Sequence, residues 1–232
     1  MNPVPQMPLE CSGLVIMSRH PIQYVQFQPF TKRGYLLNFD GEVFARKGLA
    51  SARILFHDFT VDVFTSHLAS YRDDPKTNGA VRRRQTLETA AAIAHSDADV
   101  KVFGGDINAL PAATFPGMPY NILTSVMTDA CAERYPRAHG GGHGGRGGSA
   151  RMHPVFDTYG NRRNSYTGDS THNGRIDYLM YAAGGRPGLR VYTKEFLLPA
   201  LTWRSRTTGK HRISISDHEP LLADLAISRL LR

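Results

Sequence analysis

Apolar and polar positions alternate or cluster in a few short stretches, and these fix the elements. "GLVIMSRHPI" (Gly13 to Ile22) reads as a buried strand ending in a Pro-marked turn. "ARILFHDFTVDVFTSHL" reads as a hairpin. Ile54 and Phe56 end its first strand, residues 57–60 turn, and Val61, Val63 and Thr65 begin the second. Period-two geometry puts Val61, Val63, Thr65 and His67 on one face, with His67 at the carboxyl end. Asn78 predicts an N-cap for a helix through about His95, with Val81, Leu87, Ala91 and Ala94 as its buried stripe. "DVKVFGGDIN" is a short apolar strand that empties into a Gly-Gly-Asp turn, and "GRIDYLMYAA" is a strand with Asp177, Leu179 and Tyr181 on one face. Near the end, Ile213 and Ile215 alternate with Ser214 and Ser216, then Asp217, His218 and Glu219 interrupt before another apolar run. The order hairpin, helix, strand predicts an α/β domain.

Composition adds bounds. The 232 residues are 41% hydrophobic and 21% charged, enough for one large domain. No apolar run reaches the ~18 residues of a membrane span, and "MNPVPQMPLE" lacks the pattern of a signal peptide. Cys11 and Cys131 form no metal spacing and read as free thiols in a reducing, intracellular compartment. A net charge of +8 favours an anionic partner (nucleic acid, a phosphate substrate or an acidic membrane surface) as readily as mere solubility. Residues 138–150, "AHGGGHGGRGGSA", hold seven of the 22 glycines and read as a flexible insert. Its His139 and His143 have no Cys or acid beside them to complete a metal site.

Four polar groups stand at strand ends: His67, Asp106 with Asn108, Asp177, and Asp217 with His218. Sites in open α/β sheets form at such ends. Each group alone is ordinary, but an acid inside "RIDYLMY" needs a partner to be tolerated in an apolar strand. An imidazole held in one tautomer would be such a partner. Together the groups have the composition of a metal-assisted phosphodiesterase. Carboxylates and an amide suit Mg²⁺, a His backed by an Asp suits a general base, and a second His with an Asn suits stabilisation of phosphoryl charge.

"GGDIN", "GRIDYLMY" and "SDHEPL", with "SHL" upstream, resemble the endonuclease/exonuclease/phosphatase superfamily. "CSGLVIMSRHPIQ", "FDGEVFARKG" and "ADVKVFGGDINALP" are similar, more narrowly, to the Mg²⁺-dependent neutral sphingomyelinases of animals. The resemblance covers nearly all of residues 1–232 as one catalytic domain, apart from the Gly-rich insert and the extreme N-terminus. It implies a DNase I-like four-layer sandwich of two mainly antiparallel sheets flanked by helices. It also implies hydrolysis of sphingomyelin to ceramide and phosphocholine, with lysophospholipids as further substrates and full-length relatives associated with membranes.

The resemblance assigns roles. His218 is the general base and Asp177 orients it; Asp106 and Asn108 position nucleophile and phosphate. His67 stabilises the transition state or helps the leaving oxygen. Asp217 lies beside the Mg²⁺ site, and Lys47 belongs to a mobile loop that completes the site. Glu42 stands where the family has an aspartate, and Ser66 where it has a threonine. Nothing before Cys11 supplies the family's first strand or its main Glu ligand, and Glu10 is too close to Cys11 to do so. The chain therefore reads as the C-terminal part of the domain, missing its first strands, with impaired activity expected. A nuclease of the same superfamily, with Arg82, Arg83 and Arg84 gripping a nucleic-acid backbone, is the alternative; a plain solvated helix face is the simpler reading of those arginines. A non-catalytic fragment is the third.

Overall fold

The computed structural model describes residues 12–32, 45–70, 78–111, 118–134, 157–159, 174–197, 202–204, 212–214 and 216–229. The hairpin forms where the alternation puts it: β2 (Gly48–Phe56) and β3 (Phe59–His67) pair antiparallel through a tight turn. His57 takes the left-handed conformation there, with φ 54°. Helix α1 (Asn78–His95) then carries the chain over one face of the sheet to β4 (Val100–Asp106), which lies parallel to β3. This is the only parallel pair among the described strands. The strand β6 (Asp177–Ala183) adds antiparallel to β4, with the short β5 (Thr128–Asp129) beyond it. With β1 (Ile22–Pro29) at the other edge, the sheet order is β1-β2-β3-β4-β6-β5. The helices α2 (Pro119–Thr124) and α3 (Ala130–Arg134) flank β5. A second, two-stranded sheet joins β7 (Leu189–Leu197) to β10 (Leu222–Arg229), and β8 (Thr202–Arg204) pairs with β9 (Arg212–Ser214).

The large sheet is covered on both faces. On one side, Phe64, Phe103, Tyr178 and Met180 pack with Ala90 and Ile93 of α1 and Tyr120 and Leu123 of α2. Burying a ring such as Phe103 contributes about 1.5–3 kcal/mol. On the other side, Tyr181 and Leu179 meet Phe196, Val191 and Leu225 of the second sheet. Asp177, Leu179 and Tyr181 thus share a face, as the pleat requires.

Two expectations fail. Residues 12–20 form no strand, and Val15 and Met17 are 74% and 89% exposed. The first strand among the described residues begins only at Ile22, after Pro21, and is an edge strand with mostly exposed side chains. An apolar run makes a strand only where a neighbour takes its hydrogen bonds. The helix has the expected bounds but a different buried face: Val81, Arg82, Gln85, Thr86, Thr89, Ala90 and Ile93 point inward, while Leu87, Ala91 and Ala94 are exposed. Each inward polar side chain makes at least one hydrogen bond, which offsets much of the penalty that made an apolar stripe look necessary, although Arg82 Nε makes none among the described residues. Thr86 and Thr89 donate to the carbonyls of Arg82 and Gln85, at 2.7 and 3.0 Å. The insert at 138–150, with His139 and His143, lies outside the described residues, as do Glu10, Cys11 and Glu42. Cys131 is a buried free thiol, pushed up to about 11 by its burial.

Gly105 has no room for a side chain. A Cβ there would stand 2.2 Å from the carbonyl oxygen of Ser66 on the neighbouring strand. Gly105→Ala is expected to destabilise the fold by about 1–3 kcal/mol, as overpacking against rigid neighbours does. Urea unfolding reads this directly, and an unchanged midpoint would mean that β3 and β4 can part without cost.

Candidate active site

The strand register assembles the site. His67 of β3 pairs with Asp106 of β4, and Asp106 pairs with Asp177 of β6. Three side chains far apart in sequence therefore stand in one row at one end of the sheet. The Nε2 of His67 lies 3.5 Å from Asp106 Oδ2. His218 arrives from the segment before β10, and its Nδ1 lies 2.7 Å from Asp177 Oδ2. With Nδ1–H donated to the carboxylate, Nε2 is left as the basic nitrogen. The hydrogen bond to Asp177 raises the His218 pKa above its usual range; burial opposes this, and the charges of Asp177, Asp106 and Asp217 reinforce it.

Asp106 is pushed up to about 7, first by burial and then by the charge of Asp177. The backbone N–H of Asn108, donating to Oδ1 at 2.7 Å, and the positive charges of His218 and Lys47 act the other way. Asn108 sits in a left-handed turn, φ 50°, which aims its Nδ2 at Asp106 Oδ2, 3.3 Å away, and at the Leu68 carbonyl, 3.1 Å away. Lys47 is buried, and its Nζ donates to the same Leu68 carbonyl at 2.8 Å. Ser66 Oγ, donating to the Gly48 carbonyl at 2.9 Å, ties the strand before His67 to the residue after Lys47.

The structure thus brings Asp106, Asn108, Asp177, His67, Lys47 and His218 to one place. Among the described residues, ligand atoms of Asp106, Asp177 and His218 lie within 4.8 Å of one another. Asp217 is exposed, accepts a hydrogen bond from Ser216 at 3.3 Å, and stands outside that group. Two carboxylates this close suit a divalent cation that takes oxygen ligands.

Sequence reasoning missed the supports. Thr158 is fully buried and its Oγ1 accepts from the N–H groups of Ile176 and Asp177, at 3.0 and 3.1 Å. Its carbonyl accepts from Glu219 N–H at 2.8 Å, so one residue fixes both Asp177 and the segment of His218. The Tyr159 ring lies 5.1 Å from the His218 imidazole. Behind β6, Arg175 makes a buried ion pair with Asp129 and stacks over Tyr178 at 4.4 Å. The Tyr178 hydroxyl lies 2.8 Å from the carbonyls of both Ala109 and Arg175, which ties the turn of Asn108 to the start of β6. The signal was present in "GRIDYLMY": an Arg at the mouth of an apolar strand needs an acid.

No family model and no curated protein matches the sequence. Solved structures do match the fold. Sphingomyelinase C from Streptomyces griseocarneus superposes with a TM-score of 0.54 at 16% identity, over 89% of this chain and 65% of that one. The fold is DNase I-like. TDP2 of D. rerio, complexed with a single-strand DNA product, shares the DNase I-like fold with a TM-score of 0.56 at 15% identity, over 88% of this chain and 68% of that one. A variant of beta toxin from Staphylococcus aureus with bound magnesium ions shares it with a TM-score of 0.52 at 16% identity, over 89% and 65%. The chain spans about two thirds of the length of these proteins. Among the described residues, no helix is long and apolar enough to cross a membrane.

Proposed function

We propose that the protein is a metal-assisted phosphodiesterase that hydrolyses sphingomyelin to ceramide and phosphocholine. The observation that carries this is the 2.7 Å contact between His218 and Asp177 beside the second carboxylate of Asp106. His218 Nε2 takes the proton of the attacking water, and Asp177 stabilises the imidazolium that results. The water oxygen bonds to phosphorus as the bond to the ceramide oxygen breaks. Asn108 and His67 face the phosphoryl group from the far side of Asp106, and His67 assists the leaving oxygen. Lys47 adds positive charge to the same corner. The carboxylates of Asp106 and Asp177, with Asp217 beside them, would hold a Mg²⁺, which would neutralise charge at the phosphate. The magnesium of the beta toxin structure and the sphingomyelinase C likeness support this choice of metal and substrate; lysophospholipids are the neighbouring substrate class, and an anionic membrane surface fits the charge of +8.

TDP2 with its DNA product keeps a nuclease as the second reading. One experiment separates the two. The purified protein is given labelled sphingomyelin in mixed micelles or supercoiled plasmid, each with Mg²⁺ or with a chelator. The lipid assay must detect labelled phosphocholine above a His218→Ala blank. Mg²⁺-dependent phosphocholine release without nicking is expected. Nicking without lipid hydrolysis would replace sphingomyelin by nucleic acid, and activity on neither would sink the phosphodiesterase reading.

A further inference from the structure

The buried face of α1 is polar in a particular way: its side chains reach the backbone that follows His67. Gln85 Oε1 accepts from Ala69 N–H at 2.8 Å. Arg82 Nη1 donates to the carbonyls of Ser70 at 2.8 Å and Ala69 at 3.3 Å. Asn78 Nδ2 donates to Ser70 Oγ at 3.3 Å. The Leu68 carbonyl takes Lys47 and Asn108, and Leu68 N–H donates to the Asp106 carbonyl at 2.9 Å. Gln85 Nε2 also donates to the Lys32 carbonyl at 3.0 Å, on the segment that leads toward Lys47.

Arg82 is 4% exposed. A buried guanidinium costs several kcal/mol before its hydrogen bonds are counted, and an aliphatic side chain would fill the same face at less expense. Two of the bonds that offset this cost go to the Ala69 and Ser70 carbonyls, directly after His67 and Leu68. The neighbouring arginines differ: Arg83 is exposed, and Arg84 pairs with Glu88 on the outside of the helix at 3.0 Å.

We propose that Arg82 is a positioning residue of the active site, fixing the backbone of residues 68–70 and through it His67, Asn108 and Lys47. Arg82 touches no reacting atom in this role. It denies the loop the alternative conformations that would let the Leu68 carbonyl, shared by two site residues, drift. The kinetic part of this inference rests on the phosphodiesterase reading; the structural part does not.

The test uses Arg82→Ala, Arg82→Lys and Arg83→Ala in the whole protein. Arg82→Ala is expected to lower kcat by about 10-fold or more with KM little changed, the pattern of misplaced groups. Added guanidinium ion restores part of the loss, and Arg82→Lys loses less because an ammonium still reaches one carbonyl. Arg83→Ala behaves as wild type. A second reading needs no turnover: amide hydrogen exchange at Leu68 and Ala69 speeds up in Arg82→Ala while that of β2 and β4 does not. If Arg82→Ala does not fold, Arg82→Lys carries the exchange measurement, with an intermediate effect expected. Unchanged exchange at Leu68 and Ala69, or exchange that rises evenly across the sheet, overturns the proposal. So does full kcat in folded Arg82→Ala. Should no variant and no wild-type protein turn over substrate, the functional reading has failed and the exchange data alone decide the role of Arg82.

Discussion

Replacing His218 by alanine is expected to lower phosphodiester hydrolysis by at least about 100-fold, the low end for loss of a general base. The reason is geometric. With Nδ1 bound to Asp177 at 2.7 Å, only Nε2 is free to take a proton. No other imidazole among the described residues touches Asp177, since His67 stands beyond Asp106. Asp177→Asn should slow the reaction by a related route, because the amide offers Nδ1 a donor and selects the wrong tautomer. It should also lower the His218 pKa, since the hydrogen bond to Asp177 is the main cause of its upward shift. The rate profile on the acid side would then move to lower pH. A near-wild-type rate in His218→Ala would remove the histidine from its role; an unmoved profile in Asp177→Asn would make that acid structural.

Asp106→Asn is expected to act in opposite directions on catalysis and on stability. Turnover should fall by about 100-fold or more, as when a preorganised polar group at a phosphoryl site is removed. Stability without divalent metal should rise above neutral pH. The sign follows from proton binding. The folded carboxyl has its pKa raised from 3.8 to about 7. Between those values the native state holds a proton that the unfolded chain has lost, so stability falls as pH rises through that window. Asparagine stays neutral and removes this loss. His218 contributes in the same sense, as stability lost when pH rises through its raised pKa, but it does so in both proteins. The difference between wild type and Asp106→Asn should therefore be small near pH 4 and grow to about 1–3 kcal/mol in favour of the variant by pH 8. Thermal unfolding with a chelator present checks this. Excess Mg²⁺ should narrow the gap by binding the wild-type native state. A variant equally destabilised at both pH values would show that the carboxylate charge is not what strains the site.

The grouping of the candidate site residues was legible because strand patterns are short and end abruptly. "SHL" and "GGDIN" place a polar residue where an apolar strand stops, "RIDYLMY" places one where a strand starts, and the sheet order then brings those ends together. The face of α1 was not legible. Periodicity weighs side chains by their oiliness, and Arg82, Gln85 and Thr86 are buried for their hydrogen bonds to backbone and not for their apolar surface. The run at residues 13–22 misled for the converse reason: it is apolar enough for a strand, but a strand also needs a partner, and none of the described strands pairs with residues 12–20. Thr158 carried no signal, since its value lies in joining Asp177 to the residue after His218, a relation that appears only when the chain is folded.

The row His67, Asp106, Asp177 makes the chain unequally tolerant of changes in length. The three side chains share one face because β3 and β4 end, and β6 begins, at the same rung. A residue gained or lost inside β3 or β4 would turn every later side chain of that strand, His67 or Asp106 included, to the opposite face; one inside β6, with Leu179 and Tyr181 held by the core, would turn Asp177 the same way. The row would lose a member with no amino acid at the site replaced. The connections that leave these strands carry no such constraint. Insertions and deletions can thus accumulate there while the rungs keep their count, so divergence in this protein should run through its loops and spare the lengths of three strands.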